Sequence, residues 1–224
     1  MGFPGCEIPG PAVVWPNNKD MKLFLTSAGF SNKELIDAFI GELSKPVSKL
    51  RVFSVAYAQD LTEEFYVNES MNELKHIGFE KIDVVNINDP MKVSDFSSYD
   101  VIYVCGGNTF AILDKLRKTG LDRFIIKKIK SGVIYVGVSA GSIIAGPNIE
   151  IAGWGSEGDK NEVRLQDLSG FNLTDVAIFP HFHDELRSEV EEFKSKVVYP
   201  VQELTNNQAV LISGSDIKVI GLSY

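Results

Sequence analysis

Cysteine is scarce in this sequence: only Cys6 and Cys105 occur among 224 residues. Two cysteines exclude a disulfide scaffold, and this usage is typical of a reducing compartment, so we expect a cytoplasmic protein. Long apolar runs are also missing. No uncharged stretch approaches the roughly 18 residues of a membrane-spanning helix, and we expect no membrane partner.

Positive charge is in deficit, because 22 lysines and arginines face 30 aspartates and glutamates, for a formal net charge of −8. The densest basic group, Lys127, Lys128 and Lys130, is typical of a solvated helix end. We therefore expect no nucleic-acid partner. An acidic substrate would need a local cation, since the protein as a whole does not attract it.

The first twenty residues have neither the basic start nor the continuous apolar stretch of a secretory signal. They are rich in proline and glycine, and Met21 stands directly before the first predicted strand. We interpret residues 1–20 as a flexible leader that need not be native, and residues 21–224 as a single domain. The alternative is a proline-rich arm packed on that domain.

From Lys22 onward, short apolar runs alternate with amphipathic stretches. Such alternation predicts an α/β fold, with a mostly parallel sheet that helices cover on both faces. The predicted strands are Lys22–Ser27, Leu50–Val55, Ile82–Ile87, Val101–Cys105 and Gly132–Val138. Sites in such sheets lie beyond the carboxyl ends of the strands, where we find Gly106–Asn108 and the turn at Ser139.

The pattern changes after Pro147. Residues 149–168 resemble an exposed loop or lid, and a short strand, Val176–Phe179, leads into Pro180 and two histidines. A helix is predicted over 184–196. The end of the chain, 208–212 and 217–222, predicts a β-hairpin that closes one edge of the sheet.

The turn from Gly137 to Gly141 has the form G-x-S-x-G, with Ser139 at its centre. The glycines allow a sharp strand-to-helix turn, which lifts the serine oxygen above the sheet and predicts a nucleophile. The amide of Ala140 is a natural donor to an oxyanion, and Gly106 or Gly107 is a candidate for the second donor. The rival interpretation of Gly106–Asn108 is a phosphate-binding turn.

A serine nucleophile needs a base, and the sequence has three histidines. His76 lies in the last turn of a predicted helix, where a surface role is the common one. His181 and His183 follow the strand that ends at Phe179, at the active edge of the sheet. The stiff approach through Pro180 favours His181, although residues two apart in an extended segment point the same way.

Three motifs in this order resemble the peptidase E (α-aspartyl dipeptidase) family, which is related to cyanophycinase. They are Cys105–Phe110, Gly137–Ser142 and Phe179–Phe182. The resemblance implies a fold like that of class I glutamine amidotransferases, with Ser139 as nucleophile, His181 as base and an oxyanion site at Gly107. It also implies dipeptide substrates with an N-terminal aspartate.

The residue that orients the histidine is where the sequence departs from this family. The position near the C-terminal hairpin, where relatives often carry a carboxylate, is Asn206. We therefore consider Asp159 and Glu203 as equal candidates for a triad acid, with Glu185 as a further option.

The sequence thus predicts a serine peptidase that hydrolyses small peptides through an acyl-enzyme on Ser139, without metal or cofactor. Ala140 and Gly107 would bind the oxyanion, and Asn108 and His183 would contact the substrate. An aspartate side chain would need a cation, for which Arg164 and Arg187 are the candidates downstream of the site. The alternatives are another acyl hydrolase, such as an esterase or amidase, or a non-catalytic binding protein on the same fold.

Overall fold

Five parallel strands form the centre of the protein. The computed structural model describes residues 21–58, 61–89 and 98–222, so the predicted leader, residues 1–20, lies outside the described residues. The strands are β1 (Lys22–Thr26), β2 (Arg51–Ala56), β3 (Lys81–Asn86), β4 (Val101–Val104) and β5 (Ile134–Val138).

Two further strands, β8 (Ala209–Ser213) and β9 (Asp216–Ile220), extend this sheet beyond β1. The order is β3-β2-β4-β5-β1-β8-β9, with β8 antiparallel to β1 and β9 antiparallel to β8. The mostly parallel sheet and the C-terminal hairpin are therefore confirmed. Residues near both ends of the described chain meet in the middle of the sheet, because β1 pairs with both β5 and β8.

The helices lie on both faces of the sheet, as predicted. They are α1 (Lys33–Gly41), α2 (Leu61–Ile77), α3 (Thr109–Thr119), α4 (Leu121–Lys130), α5 (Ala140–Ala145) and α6 (Arg187–Lys194). Among the described residues, no helix has both the length and the apolar character needed to cross a membrane.

Side chains alternate along β1 between two cores. Leu23 and Leu25 join the cluster that contains buried residues of α3, α4, α5 and α6, whereas Phe24 joins the cluster of α1 and α2. All three are at most 1% exposed. Burial on both faces explains why the inner parallel strands are largely apolar runs rather than polar-apolar alternations, whereas β3, at the edge, is partly exposed.

A second, smaller sheet consists of β6 (Ala177–Phe179) and β7 (Val201–Glu203), which are parallel. The sequence predicts β6 but not β7, a half-buried strand of only three residues. The segment from Ile149 to Leu168, predicted as a loop or lid, contains one short 3-10 turn, Glu150–Gly153. The helix predicted over 184–196 begins as a 3-10 turn before α6.

Candidate active site

Ser139 stands on the turn between β5 and α5 with a backbone φ of 48°. This φ is rare for a residue with a side chain, and such strain is concentrated at functional sites. The flanking glycines are required sterically. A Cβ at Gly137 would lie 2.6 Å from the carbonyl carbon and oxygen of Gly141, and one at Gly141 would lie 2.4 Å from the Val104 oxygen.

Hydrogen bonds tie this turn to β1. The Ser139 amide donates to the carbonyl oxygen of Thr26 over 3.0 Å. The buried Ser142 hydroxyl lies 2.7 Å from the same oxygen and 2.8 Å from that of Gly137. The position of Ser139 is therefore fixed by β1 as well as by contacts within the turn.

The loop that follows β6 of the small sheet carries His181. His181 follows β6 by two residues and has a φ of 57°, so Ser139 and His181 both have a positive φ. The β6–β7 pairing continues past the strands: the Leu204 amide donates to the Phe179 oxygen, and the Phe182 amide donates to the Leu204 oxygen, each over 2.9 Å. This ladder holds the loop of His181 beside the chain that follows β7.

Three side chains form a continuous hydrogen-bonded row. Oγ of Ser139 lies 2.8 Å from Nε2 of His181. Nδ1 of His181 lies 2.7 Å from Oδ1 of Asn206. This is the arrangement of a nucleophile, a base and an orienting group, with an amide where a carboxylate was expected.

None of the three carboxylates considered from the sequence contacts His181. Asp159 accepts from the amide of Thr109 over 2.8 Å, at the N-terminus of α3, where the helix dipole favours a negative charge. Glu203 pairs with Lys194. Glu185 lies 2.5 Å from Nδ1 of His183. The orienting position is thus occupied by Asn206, which corrects the placement expected for Asp159, Glu203 and Glu185.

His183 forms its side-chain contacts with two carboxylates. Its Nδ1 meets Glu185, and its Nε2 is 3.5 Å from Glu157. The hydrogen bond to Glu185 raises the pKa of His183 above its ordinary value, and Glu157 adds to this effect. Asn108, the other predicted substrate contact, caps α3 by accepting from the Ala111 amide over 3.0 Å. Neither His183 nor Asn108 is among the described residues that line the cavities at Ser139.

The loop after β4 lies against the nucleophile. A Cβ on Gly106 would be 3.5 Å from the Cβ of Ser139, and Gly107 has a φ of 135°, which disfavours any side chain. Gly107 and Ser139 line the same two cavities. The bare amide of Gly107 and the amide of Ala140, which follows the nucleophile, are both near the serine.

Two cavities meet at Ser139 and His181. The larger has a volume of about 520 Å³ and extends to α2, where Glu69 and Glu73 contribute to its wall. The smaller has about 210 Å³ and reaches Trp154, Glu157 and Asp159. Trp154 is anchored by a 2.8 Å hydrogen bond from its Nε1 to the Glu189 oxygen. The loop expected as an exposed lid is therefore packed on α6 at this point.

The described walls of both cavities contain carboxylates and no lysine or arginine. Burial raises the pKa of Glu73, and the amide of Phe30, which donates to its carboxylate over 3.2 Å, opposes the rise. Arg187 pairs with Asp184 over 2.6 Å. Neither Arg187 nor Arg164 reaches these walls, so the cation expected for an aspartate side chain is not found among the described lining residues.

Cys105 also lines the larger cavity, and it is a rival nucleophile on composition alone. Burial raises its pKa to about 11, so the thiol is protonated at neutral pH. No group of three or more histidine, cysteine, aspartate or glutamate side chains in the described ranges could hold a metal ion.

Sequence reasoning did not assign a role to Asn206 or to Ser27. Asn206 stands at the family's carboxylate position, but an amide is not the acid that a triad normally contains. Ser27 is an ordinary serine at the end of an apolar strand, so no local pattern distinguishes it. Its hydroxyl lies beside His181 and Asn206.

Comparisons with known proteins agree with this geometry. The profile of Peptidase family S51 matches residues 23–220. An uncharacterised peptidase of Listeria monocytogenes is 31% identical over 205 residues, which cover 87% of this chain and 96% of that protein. Peptidase E of Salmonella newport is 29% identical over 128 residues, which cover 56% of this chain and 52% of the relative.

Solved structures show the same fold. A candidate peptidase E protein from Listeria monocytogenes has a TM-score of 0.75 and 28% sequence identity, covering 91% of this chain and 99% of that one. A peptidase from an acI-B1 actinobacterium has a TM-score of 0.66 at 16% identity, covering 92% and 90%, respectively. These matches confirm the resemblance to peptidase E that the three motifs predict.

Proposed function

Since the chain belongs to peptidase family S51 and is a serine peptidase similar to peptidase E, we propose that it hydrolyses small peptides through an acyl-enzyme on Ser139. The observation that carries the proposal is the row from Ser139 through His181 to Asn206, with contacts of 2.8 and 2.7 Å. The cytoplasmic location expected from cysteine usage stays a prediction.

In the proposed reaction, the Ser139 oxygen attacks the scissile carbonyl while its proton passes to Nε2 of His181. A bond forms between Oγ and the carbonyl carbon, and the charge on the carbonyl oxygen is met by the amides of Ala140 and Gly107. His181 then gives the proton to the leaving amine as the carbon–nitrogen bond breaks. Water, deprotonated by His181, releases the acyl group. Asn206 orients the imidazole through Nδ1.

The choice of substrate follows from the cavity walls. An aspartate side chain in the larger cavity would lie near Glu69 and Glu73, with no described lysine or arginine to pair with it. A charge without a partner in a partly buried site is unfavourable. We therefore propose short peptides without a preference for an acidic side chain, in contrast to the N-terminal aspartate that the resemblance implies.

The nucleophile is tested by labelling the folded protein with a fluorophosphonate probe. We expect the probe on Ser139, no labelling of Ser139→Ala, and unchanged labelling of Ser215→Ala, a control in the exposed turn between β8 and β9. Ser139→Ala should also lower kcat for peptides by several orders of magnitude. Absence of labelling in the wild-type protein would reject the acyl-enzyme mechanism.

The substrate is tested with matched dipeptides that begin with aspartate, asparagine or leucine, alongside small esters. Asparagine has the shape of aspartate without the charge, and we expect kcat/KM for it to be higher by about tenfold, or ~1.4 kcal/mol. Glu73→Gln should reduce the difference in kcat/KM between the asparagine and the aspartate dipeptide. A clear preference for aspartate would contradict the proposed specificity, and cleavage of esters alone would indicate an esterase.

A further inference from the structure

Asparagine in place of a carboxylate creates a problem of orientation. Both oxygens of a carboxylate accept hydrogen bonds, whereas an amide presents an acceptor on one side and a donor on the other. With Oδ1 of Asn206 toward His181, Nδ1 must carry the proton and Nε2 keeps a free lone pair for the serine proton. With Nδ2 toward His181, Nδ1 must accept, and the proton moves to Nε2. That tautomer cannot act as a base toward Ser139.

Ser27 distinguishes these two orientations. It follows β1, and its residue is 0% exposed. Its Oγ accepts from the backbone amide of His181 over 2.7 Å, and its own proton goes to Oδ1 of Asn206 over 3.3 Å. One hydroxyl thus holds both the left-handed backbone of His181 and the side-chain oxygen of Asn206.

Rotating the Asn206 amide would remove the acceptor of the Ser27 proton. Nδ2 would then face the Ser27 oxygen as a donor, and the buried hydroxyl proton would have no described acceptor. A buried donor without a partner is costly, which favours the orientation with Oδ1 toward both Ser27 and His181. Asn206 itself is exposed, so water can accept from its Nδ2 in this orientation.

We propose that Ser27 is a positioning residue that holds the Asn206 oxygen toward His181, and thereby keeps the imidazole protonated on Nδ1 with Nε2 free to take the Ser139 proton. Ser27 acts through Asn206 and does not touch the reacting atoms. The catalytic meaning of the inference rests on the proposed acyl transfer, but the tautomer itself does not.

The first test reads the tautomer directly. Two-dimensional ¹H–¹⁵N NMR of histidine-labelled protein, at a pH where the imidazole is neutral, separates Nδ1–H from Nε2–H forms, and the spectrum of His181→Gln identifies the signal. We expect the Nδ1–H form in the wild type and a mixture in Ser27→Ala. Ser27→Ala/Asn206→Asp should return to the Nδ1–H form, because a carboxylate accepts from either oxygen.

The second test compares the rates at which a fluorophosphonate probe phosphonylates Ser139, with fluoride as the leaving group. Ser27→Ala should lower the rate by about tenfold to a hundredfold in the Asn206 background. The same substitution should lower it less than about threefold in the Asn206→Asp background. Ser27→Ala also removes the hydrogen bond from the backbone amide of His181. Both backgrounds lose this bond, so it does not contribute to the difference between them.

Ser31→Ala is the matched control. The Ser31 hydroxyl donates to the backbone oxygen of Asn206 over 2.8 Å, so it contacts the same residue but not its side-chain amide. It should leave the tautomer unchanged. A wild-type tautomer in Ser27→Ala, or equal losses of rate in both backgrounds, would overturn the proposal. A wild-type protein that has the Nδ1–H tautomer yet is never labelled would support it while rejecting the proposed function.

Discussion

Replacing Gly141 with alanine should both destabilise the protein and displace its nucleophile. The added Cβ would lie 2.4 Å from the carbonyl oxygen of Val104 and 3.1 Å from its carbonyl carbon and its Cβ. Ordinary contacts begin near 3.4 Å, so a movement of about 1 Å is required. The blocking atoms belong to the backbone of β4, which is paired on one side with β2 and on the other with β5.

The expected cost follows from this obstruction. Overpacking a core lowers the free energy of unfolding by ~1–3 kcal/mol. We expect the upper end of this range because the obstructing atoms are not the movable end of a flexible side chain. For a chain of this length, ~3 kcal/mol corresponds to a fall in Tm of about 6–12 °C. Since Ser139 lies two residues before Gly141, movement of α5 should also shift its oxygen away from His181.

Urea unfolding followed by circular dichroism measures the free energy, and fluorophosphonate labelling measures the nucleophile. Gly41→Ala is the control: Gly41 ends α1, and a Cβ there meets nothing within 4 Å. That variant should be neutral or more stable by ~0.4–1 kcal/mol. If Gly141→Ala unfolds within about 0.5 kcal/mol of the wild type and is labelled at the same rate, the close approach of α5 to β4 is refuted.

Three further predictions concern individual side chains. Cys105, whose pKa burial raises to about 11, should react with iodoacetamide at pH 8 at least about a hundredfold more slowly than a free thiol in peptide mapping, and rapid alkylation would contradict its burial. NMR titration should give His183 a pKa above its ordinary value, and Glu185→Gln should lower it; the stabilisation from this pair is present below the ordinary pKa and is lost as the pH rises through the raised one. Asn206→Ala should slow fluorophosphonate labelling of Ser139 by about a hundredfold. Glu203→Ala should leave the labelling rate unchanged and change the free energy of unfolding by up to ~1 kcal/mol. Slower labelling in Glu203→Ala than in Asn206→Ala would instead indicate that Glu203 orients His181.

The centre of the parallel sheet was predictable because its inner strands are buried on both faces. A continuous apolar run such as Val101–Val104 is typical of a strand that is buried on both faces of a parallel sheet. The glycines around Ser139 were equally informative, since their spacing matches a turn in which backbone atoms meet. Local sequence therefore predicted the strands and the sharp turn that carries Ser139.

The partner of His181 could not be predicted in the same way. It depends on the register between β6 and β7, and β7 is a half-buried strand of three residues, too short to show a periodic pattern. Asp159 was a reasonable candidate by chemistry, but the N-terminus of α3 holds it elsewhere. Asn206 reaches the histidine through long-range packing, which no local pattern encodes.

The pairing of β1 with β8 has a consequence for the time at which activity appears during synthesis. Ser27 and Asn206 are 179 positions apart, and Ser139 lies between them. A ribosome delivers the chain from its N-terminus, so the serine emerges well before the groups that activate it. In the proposed mechanism, Ser139 is inactive until β8 pairs with β1, a contact of high sequence separation that forms slowly. A nascent or truncated chain that lacks β8 is therefore expected to be a poor peptidase.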